Sequence, residues 1–421
     1  MTIRNPAEPQ VLAAQELPSE RKILLLIAAV QFVNVLDFMM VMPLGPDFAQ
    51  ELGIATSHLG VVGGAYTAAA AVSGILGATF LDRFDRRSAL VAAVLGLVAA
   101  TALGGLATGF YSLIGARVLA GAFGGPATSV ALAIVADTVP VERRGRAMGV
   151  VMSSFSVASV LGVPMGLKLA TMGGWRTPFF AVAALGLLVA LLGIPLLPSM
   201  RAHLSQERGT LLGLLSILRR PVVALSLLTT VVSMTGHFAL IPNLSAYLQF
   251  NLGYPRADLG LLYMAGGLVS FATLRIAGRL TDRVGPWRSA TIGSVLYVTT
   301  LYLGFIHSVM LIPVMLLFVM FMVTGSFRFV PMQALSSRVP HPTERARFMS
   351  LQSCVQHMAA ASGALFASQV LAAEPDGKLV GMNHVAMVTA SLAALLPFML
   401  ALVESKLAPS GAPVRVDAPR A

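Results

Sequence analysis

The stretch "TDRVGPWRS" (281–289) has an echo 200 residues earlier, "LDRFDRRS" (81–88), and this pair decides how the chain is read. Each copy places an Asp-Arg dipeptide at the end of a long apolar run. The same shift sets "LGIATSHLG" (52–60) against "LGYPRADLG" (252–260). With one extra residue, "VPVERRGRAMG" (139–149) matches "VPHPTERARFMS" (339–350). Two similarly oriented halves imply a parallel pseudo-twofold axis, with inward- and outward-facing states produced by rocking one half against the other.

Composition fixes the solvent. Of the 421 residues 56% are hydrophobic and 11% charged, with a mean hydropathy of +0.81. Soluble domains carry about 25% charged residues, so the chain falls in the membrane class. Its single cysteine, Cys354, excludes a disulfide framework and a cysteine metal site. The first 22 residues lack the pattern of a removable leader, and the first apolar run is expected to stay as a span.

Runs long enough to cross about 30 Å of hydrocarbon recur twelve times. They lie near 23–44, 58–80, 88–108, 111–137, 146–170, 178–198, 222–248, 259–281, 289–306, 309–335, 348–372 and 383–404. Alternate loops separate by charge. One set holds Arg21 and Lys22, Arg83, Arg86 and Arg87, Arg143, Arg144 and Arg146, and the arginines of the central linker, and continues with Arg283 and Arg288, Arg338 and Lys406. The other set offers Arg176, Arg256 and Lys378. By the positive-inside rule the first set is cytoplasmic, and both termini with it. The net charge of +11 is thus a topology signal, which removes the nucleic-acid reading. The expected organisation is all-α: a tail (1–22), a six-helix bundle (23–198), a cytoplasmic linker (199–221), a second six-helix bundle (222–404) and a tail (405–421). Within the linker, "LLGLLSILRRP" (211–221) reads as an amphipathic surface helix.

Several motifs sharpen this outline. "GRLTDRVG" (278–285) resembles, at every fixed position, the loop signature Gly-x-Leu-x-Asp-Arg-x-Gly of the major facilitator superfamily. The first-half copy, "ATFLDRFDRR" (78–87), keeps the Asp-Arg and the trailing arginines but has Ala78 and Asp85 where the glycines stand. "RVLAGAFGGPA" (117–127) resembles that superfamily's fourth-helix motif. "GVPMG" (162–166) with "GWRTPFF" (174–180) resembles its fifth-helix region, with Val163 interrupting the usual Gly-Pro pair. The resemblance covers nearly the whole chain and points to the twelve-span drug:proton antiporter and arabinose-efflux-like branch. It implies a latch in which Asp82 faces a helix N-terminus while Arg86 pairs with an acid at the inner end of the fourth helix, a place Asp137 fits; Arg83, Asp282 and Arg283 belong to the same loops. Ser337 stands where a second-half acid is needed, so the latch is expected on one side. Gly162, Pro164 and Gly166 read as a packing and bending element.

The costliest residues are buried in spans. In "QFVNVLDFMMVMP" (31–43), Gln31, Asn34 and Asp37 fall on one third of a helix circumference, a stripe expected to face a central cavity. A carboxylate there costs about 2.5–3.5 kcal/mol, which marks Asp37 as the candidate proton site. The matching second-half stretch, "VVSMTGHFALIPN" (231–243), has no acid. Arg117 fits two readings: it snorkels to the outer surface, or it is a cavity arginine paired with an acid. Arg328 implies a carboxylate, carbonyls or an anionic ligand nearby. Lys168 either snorkels or lines the cavity mouth. His237 is either a hydrogen-bonded bridge between helices or a proton group. Gln352 and Gln356, four apart, share a helix face.

The chain has no His-Glu-x-x-His, Gly-x-Ser-x-Gly, Walker loop or Cys/His metal spacing, so an enzyme is not expected, nor a cofactor or metal. Without a nucleotide site, the expected energy source is an ion gradient or the substrate's own gradient. The leading expectation is proton-coupled antiport, effluxing a small amphipathic compound through a multi-pass protein of the bacterial inner membrane, acting as a monomer. Sugar or metabolite transport, lipid movement, or a non-transporting sensor or assembly factor on the same fold are the alternatives.

Overall fold

The computed structural model describes residues 20–80, 83–201, 216–307, 312–341 and 344–407. The first half begins with α1 (Glu20–Val41), a short α2 (Gly45–Leu52), α3 (Leu59–Phe80), α4 (Arg86–Gly105) and α5 (Phe110–Thr138). Next come α6 (Val141–Val157) and α7 (Val163–Gly173), one span joined through a π-helical turn at Ala158–Gly162, and then α8 (Arg176–Leu196). The second half runs α9 (Pro221–Ala246), α10 (Leu259–Val284), α11 (Pro286–Leu301), α12 (Val314–Ser336), α13 (Arg345–Val370) and α14 (Met382–Leu407). A two-stranded antiparallel ribbon, Ala372–Ala373 with Leu379–Val380, is the sole non-helical element among the described residues.

The expected spans and the observed helices coincide within a few residues, save that α1 stops at Val41 and Pro46 starts a separate α2. Among the described residues, eleven helices are long and apolar enough to cross a membrane. The twelfth span, α13, is less apolar because it carries Gln352, Gln356 and His357. It runs sandwiched between α3 and α9, so protein rather than lipid covers much of it. The linker stretch 211–215 lies outside the described residues. Ile217–Arg219 is a single 3-10 turn, and Pro221 then opens α9.

Helix pairing repeats between the halves. In the first, α1 packs on α6 and α8, α3 on α5, and α4 on α5 and α8. In the second, α9 packs on α13 and α14, α10 on α12, and α11 on α12 and α14. The same map drawn twice is the parallel repeat in three dimensions. Even the inner-end ion pairs repeat, with their signs exchanged. Glu20 meets Arg143 at 2.8 Å between the starts of α1 and α6, while Arg220 meets Glu344 at 2.7 Å between the starts of α9 and α13.

The halves meet along α3–α13 and along α6/α7–α10. Glycines allow the approach. A Cβ on Gly60 would lie 2.4 Å from the Ala364 carbonyl oxygen, and one on Gly267 would lie 2.8 Å from Ser159 Oγ. Among the described residues, the hydrogen bonds and ion pairs that join the halves sit at the outer end: Asp47 with Arg256, Thr56 with the Gly377 carbonyl, and Ser245 with the Pro43 carbonyl.

Candidate functional site

Positions 31, 34 and 37 of α1 recur at helical spacing, so one face carries all three polar side chains. That face does not look into a cavity between the halves as expected. It turns into the seam of the first half, where α3, α4 and α5 supply partners. Asp37 is fully buried, and Arg117 of α5 is 1% exposed. Arg117 Nη1 donates to Asp37 Oδ2 at 3.0 Å and to Oδ1 at 3.2 Å. Thr101 of α4 donates to Oδ1 at 2.7 Å. The snorkelling reading of Arg117 is therefore excluded. The Arg117 guanidinium also lies 4.7 Å from the Tyr66 ring centroid. Tyr66 in turn donates to Asn34 Oδ1 at 2.7 Å, and Asn34 Nδ2 donates to the Gly124 carbonyl at 3.0 Å and to Thr128 at 2.6 Å.

Gly121 and Gly124 explain how α5 comes close enough. A Cβ at Gly121 would sit 2.1 Å from the Tyr66 carbonyl oxygen, and one at Gly124 would sit 2.4 Å from the Tyr66 hydroxyl. The glycine-rich face that follows Arg117 thus seats α3 against α5 and sets the distance at which Tyr66 caps the cation. Gln31 is buried too, with its amide oxygen unpartnered. Sequence reasoning missed Tyr66, Thr101 and Thr128. Hydroxyl residues in spans are common, and the signal was the need of a buried ion pair for further donors.

The second half holds a related cluster. Arg328 of α12 is 2% exposed and lies 4.4 Å from the Tyr297 ring centroid. Tyr297 Oη is 3.3 Å from His237 Nδ1, and the imidazole stacks on Phe321 with centroids 5.3 Å apart. His237 thus sits as an interhelical bridge, in contact with this cation cluster. Gln352 and Gln356 do share a face, and both donate to Gln333 Oε1, at 2.9 and 3.1 Å. Gln333 was not foreseen. Lys168 lies outside these clusters and is exposed on α7, as both of its readings require.

At the inner end Arg86 Nε lies 3.4 Å from Asp137 Oδ2, and Asp137 is 39% exposed. Asp82 lies outside the described residues. Arg83 is exposed, and Asp282 and Arg283 are exposed at the end of α10. Asp85, which replaces a motif glycine, has a use of its own. It caps α4 by accepting from the Arg87 backbone N–H at 2.8 Å, and it also takes Ser199, the Met200 N–H and Arg201. Burial alone would push its carboxyl up, but these donors outweigh it and hold the pKa at about 2. Gly162 lets Leu36 of α1 press on the α6/α7 span, where a Cβ would come within 2.6 Å of Leu36 Cδ1, while Pro164 lies beside Gly260 of the other half.

The chain matches the sequence profile described as Major Facilitator Superfamily over residues 27–364 and again over 226–410. The protein belongs to the major facilitator superfamily. A chloramphenicol resistance protein of Streptomyces lividans is 31% identical over 350 residues, covering 82% of this chain and 88% of that protein. Among solved structures, the nucleoside transporter NupG superposes with a TM-score of 0.72 at 11% identity, over 90% of this chain and 99% of that one. A bacterial homologue of the human lysosomal transporter Spinster, inward-facing and occupied, gives 0.67 at 17% identity over 93% and 96%. These structural likenesses concern the fold.

The family makes the chain a transporter and a multi-pass membrane protein, with the fold of a carrier rather than an enzyme. Within this transporter the buried charges are unequally balanced. Asp37 and Arg117 neutralise each other in the first half, whereas Arg328 of the second half has an aromatic ring and, among the described residues, no carboxylate partner. Between the two arginines runs a line of rings. Tyr66 is 5.2 Å from Phe38, Phe38 is 6.2 Å from Phe238 across the seam between halves, and Phe238 is 6.1 Å from His237.

Proposed function

We propose that this transporter exports a small amphipathic compound from the bacterial cytoplasm in exchange for protons, working as a monomer in the inner membrane with no cofactor beyond the proton gradient. The observation that carries the reading is the Asp37–Arg117 pair, fully buried and held by Thr101. A carboxylate with a fixed counter-cation is a two-state element. Ionised, it holds α1 against α4 and α5; protonated, it loosens Arg117 and lets α1 move. Substrate that draws on Arg117 or displaces α1 changes the proton affinity of Asp37, which couples the two fluxes. The outer-end contacts, Asp47–Arg256 above all, supply the bistable joint that such coupling biases.

Export is favoured over uptake by the Streptomyces relative, whose name records resistance to chloramphenicol. Chloramphenicol accordingly belongs in the panel tested, beside aromatic acids. Purified protein is reconstituted in liposomes with a pH-sensitive dye inside and a compound panel outside. The expected result is substrate-dependent proton movement that Asp37→Asn abolishes. Substrate flux without proton flux, or full coupling in the Asn variant, would overturn the antiport reading.

A further inference from the structure

The repeat supplies a comparison that neither half gives alone. At the 200-residue shift Asp37-Phe38 of α1 matches His237-Phe238 of α9, and the two phenylalanines meet at 6.2 Å across the seam. Arg117 and Arg328 lie on the equivalent fourth and tenth spans, and each has a tyrosine ring over its guanidinium. The clusters are alike in kind and not in register, since at the same shift Arg117 matches Leu317 and Tyr66 matches Gly266, and they differ in charge. Where the first half sets a carboxylate against its arginine, the second half has an imidazole, which supplies no anionic charge. Arg328 keeps two guanidinium nitrogens, Nε and Nη2, buried and unpartnered. Removing one partner of a buried ion pair is normally costly, and an ionisable group left so in a membrane span marks a functional site. Two adjacent N–H groups of one guanidinium form a fork that matches a carboxylate edge-on.

We propose that Arg328 binds the acidic group of the transported compound, so that the substrate's carboxylate takes at Arg328 the place that Asp37 holds at Arg117. This rests on the efflux reading and narrows it: the substrate class is a planar aromatic acid. Tyr297, Phe321 and Phe238 provide ring faces beside the charge, and His237 provides a second polar contact. The site is occluded in the present conformation, and separation of the halves along Phe38 and Phe238 admits the ligand. A cationic drug would be repelled there, because no carboxylate in the second-half cluster offsets Arg328.

The test uses purified full-length protein in lipid nanodiscs and isothermal titration calorimetry at pH 7. The probes are 2-naphthoate and its uncharged counterpart 2-naphthamide. The wild type is expected to bind the acid at least about tenfold more tightly than the amide, the equivalent of one charge-assisted bond. Arg328→Gln should erase that preference, whereas Arg328→Lys should retain part of it. His237→Asp gives Arg328 an internal carboxylate and should also erase the preference while leaving the arginine in place. Each variant is checked for a single size-exclusion peak and a cooperative melt, and His237→Asp decides alone if Arg328→Gln does not fold. Equal affinity for acid and amide in the wild type, no binding of either, or a preference that survives both folded variants would overturn the proposal. Because equilibrium binding needs neither a gradient nor flux, an absence of proton exchange would sink the antiport reading and leave this site standing.

Discussion

Breaking the Asp37–Arg117 pair separates its structural part from its transport part. Asp37→Asn keeps the shape and a hydrogen-bond acceptor for Thr101 but removes the charge, leaving Arg117 with a Tyr66 ring as its principal compensation. Stranding one member of a buried pair costs about 3–5 kcal/mol. The Tyr66 cation–π contact is present in both forms and cancels in the difference, so a loss of about 3–5 kcal/mol is expected. Arg117→Gln strands the carboxylate instead, and Thr101 alone cannot satisfy it. The double variant, Asp37→Asn with Arg117→Gln, puts two amides of matching shape in contact and should recover most of the loss. Unfolding by sodium dodecyl sulfate, followed by circular dichroism in mixed micelles, gives the three stabilities. The cycle should show a coupling energy of about 2 kcal/mol or more. Proton-coupled flux should be absent in all three variants. Additive single effects would refute the view that the pair acts as a unit. Flux restored along with stability in the double variant would refute a proton role for Asp37.

Three further outcomes follow from the same geometry. Asp85→Asn removes a carboxylate whose folded-state pKa is depressed, from 3.8 to about 2; its stabilisation is full above pH 4 and lost as pH falls through the folded value. The difference in stability from wild type should be at most about 2 kcal/mol at pH 7 and roughly half that at pH 3, read from melting curves. A difference that grows on acidification would be wrong in sign. Gly121→Ala drives a methyl against the Tyr66 backbone carbonyl and should cost about 1–3 kcal/mol, whereas Gly115→Ala, with open space at its Cβ, should be near neutral. Asp47→Asn weakens an ion pair about one quarter exposed on each side, and in a Cys354-free background it should raise outer-end cysteine accessibility several-fold. An unchanged labelling pattern would remove Asp47–Arg256 from the outer joint.

The fold was legible because the solvent writes it into the chain. Twelve apolar runs, alternating loop charge and the repeated Asp-Arg dipeptides leave little choice of architecture. The sites were legible where charge is expensive: Asp37, Arg117 and Arg328 stand out of apolar context and are all buried. What escaped was whatever apolar or weakly polar residues do for those charges. Tyr66 and Tyr297 are two of seven tyrosines, and nothing in their flanking residues says that each lies over a guanidinium. The direction of the α1 stripe was also misread, since helical periodicity gives a shared face but not the neighbour it meets. Lys168 gave no such signal for the converse reason: a charge near a span end costs little, so its presence in the sequence carries little information.

Asp85 shows how a departure from a motif can be read. A glycine at that position would supply a turn. The aspartate supplies an N-cap for α4 and an anchor for Ser199 and Arg201 at the start of the linker between the halves. The same reasoning applies at larger scale to the two halves. Their helix pairing is repeated, their inner-end ion pairs are repeated with reversed sign, and their facing phenylalanines are repeated. Packing is therefore satisfied by symmetry, and a position that breaks it needs another cause. Asp37 against His237 is such a break, at matching depth on matching helices, beside arginines on matching helices. On the antiport proposal, the paired carboxylate of one half would hold the proton and the guanidinium of the other half the substrate, with the Phe38–Phe238 contact as the seam through which movement of one is felt by the other.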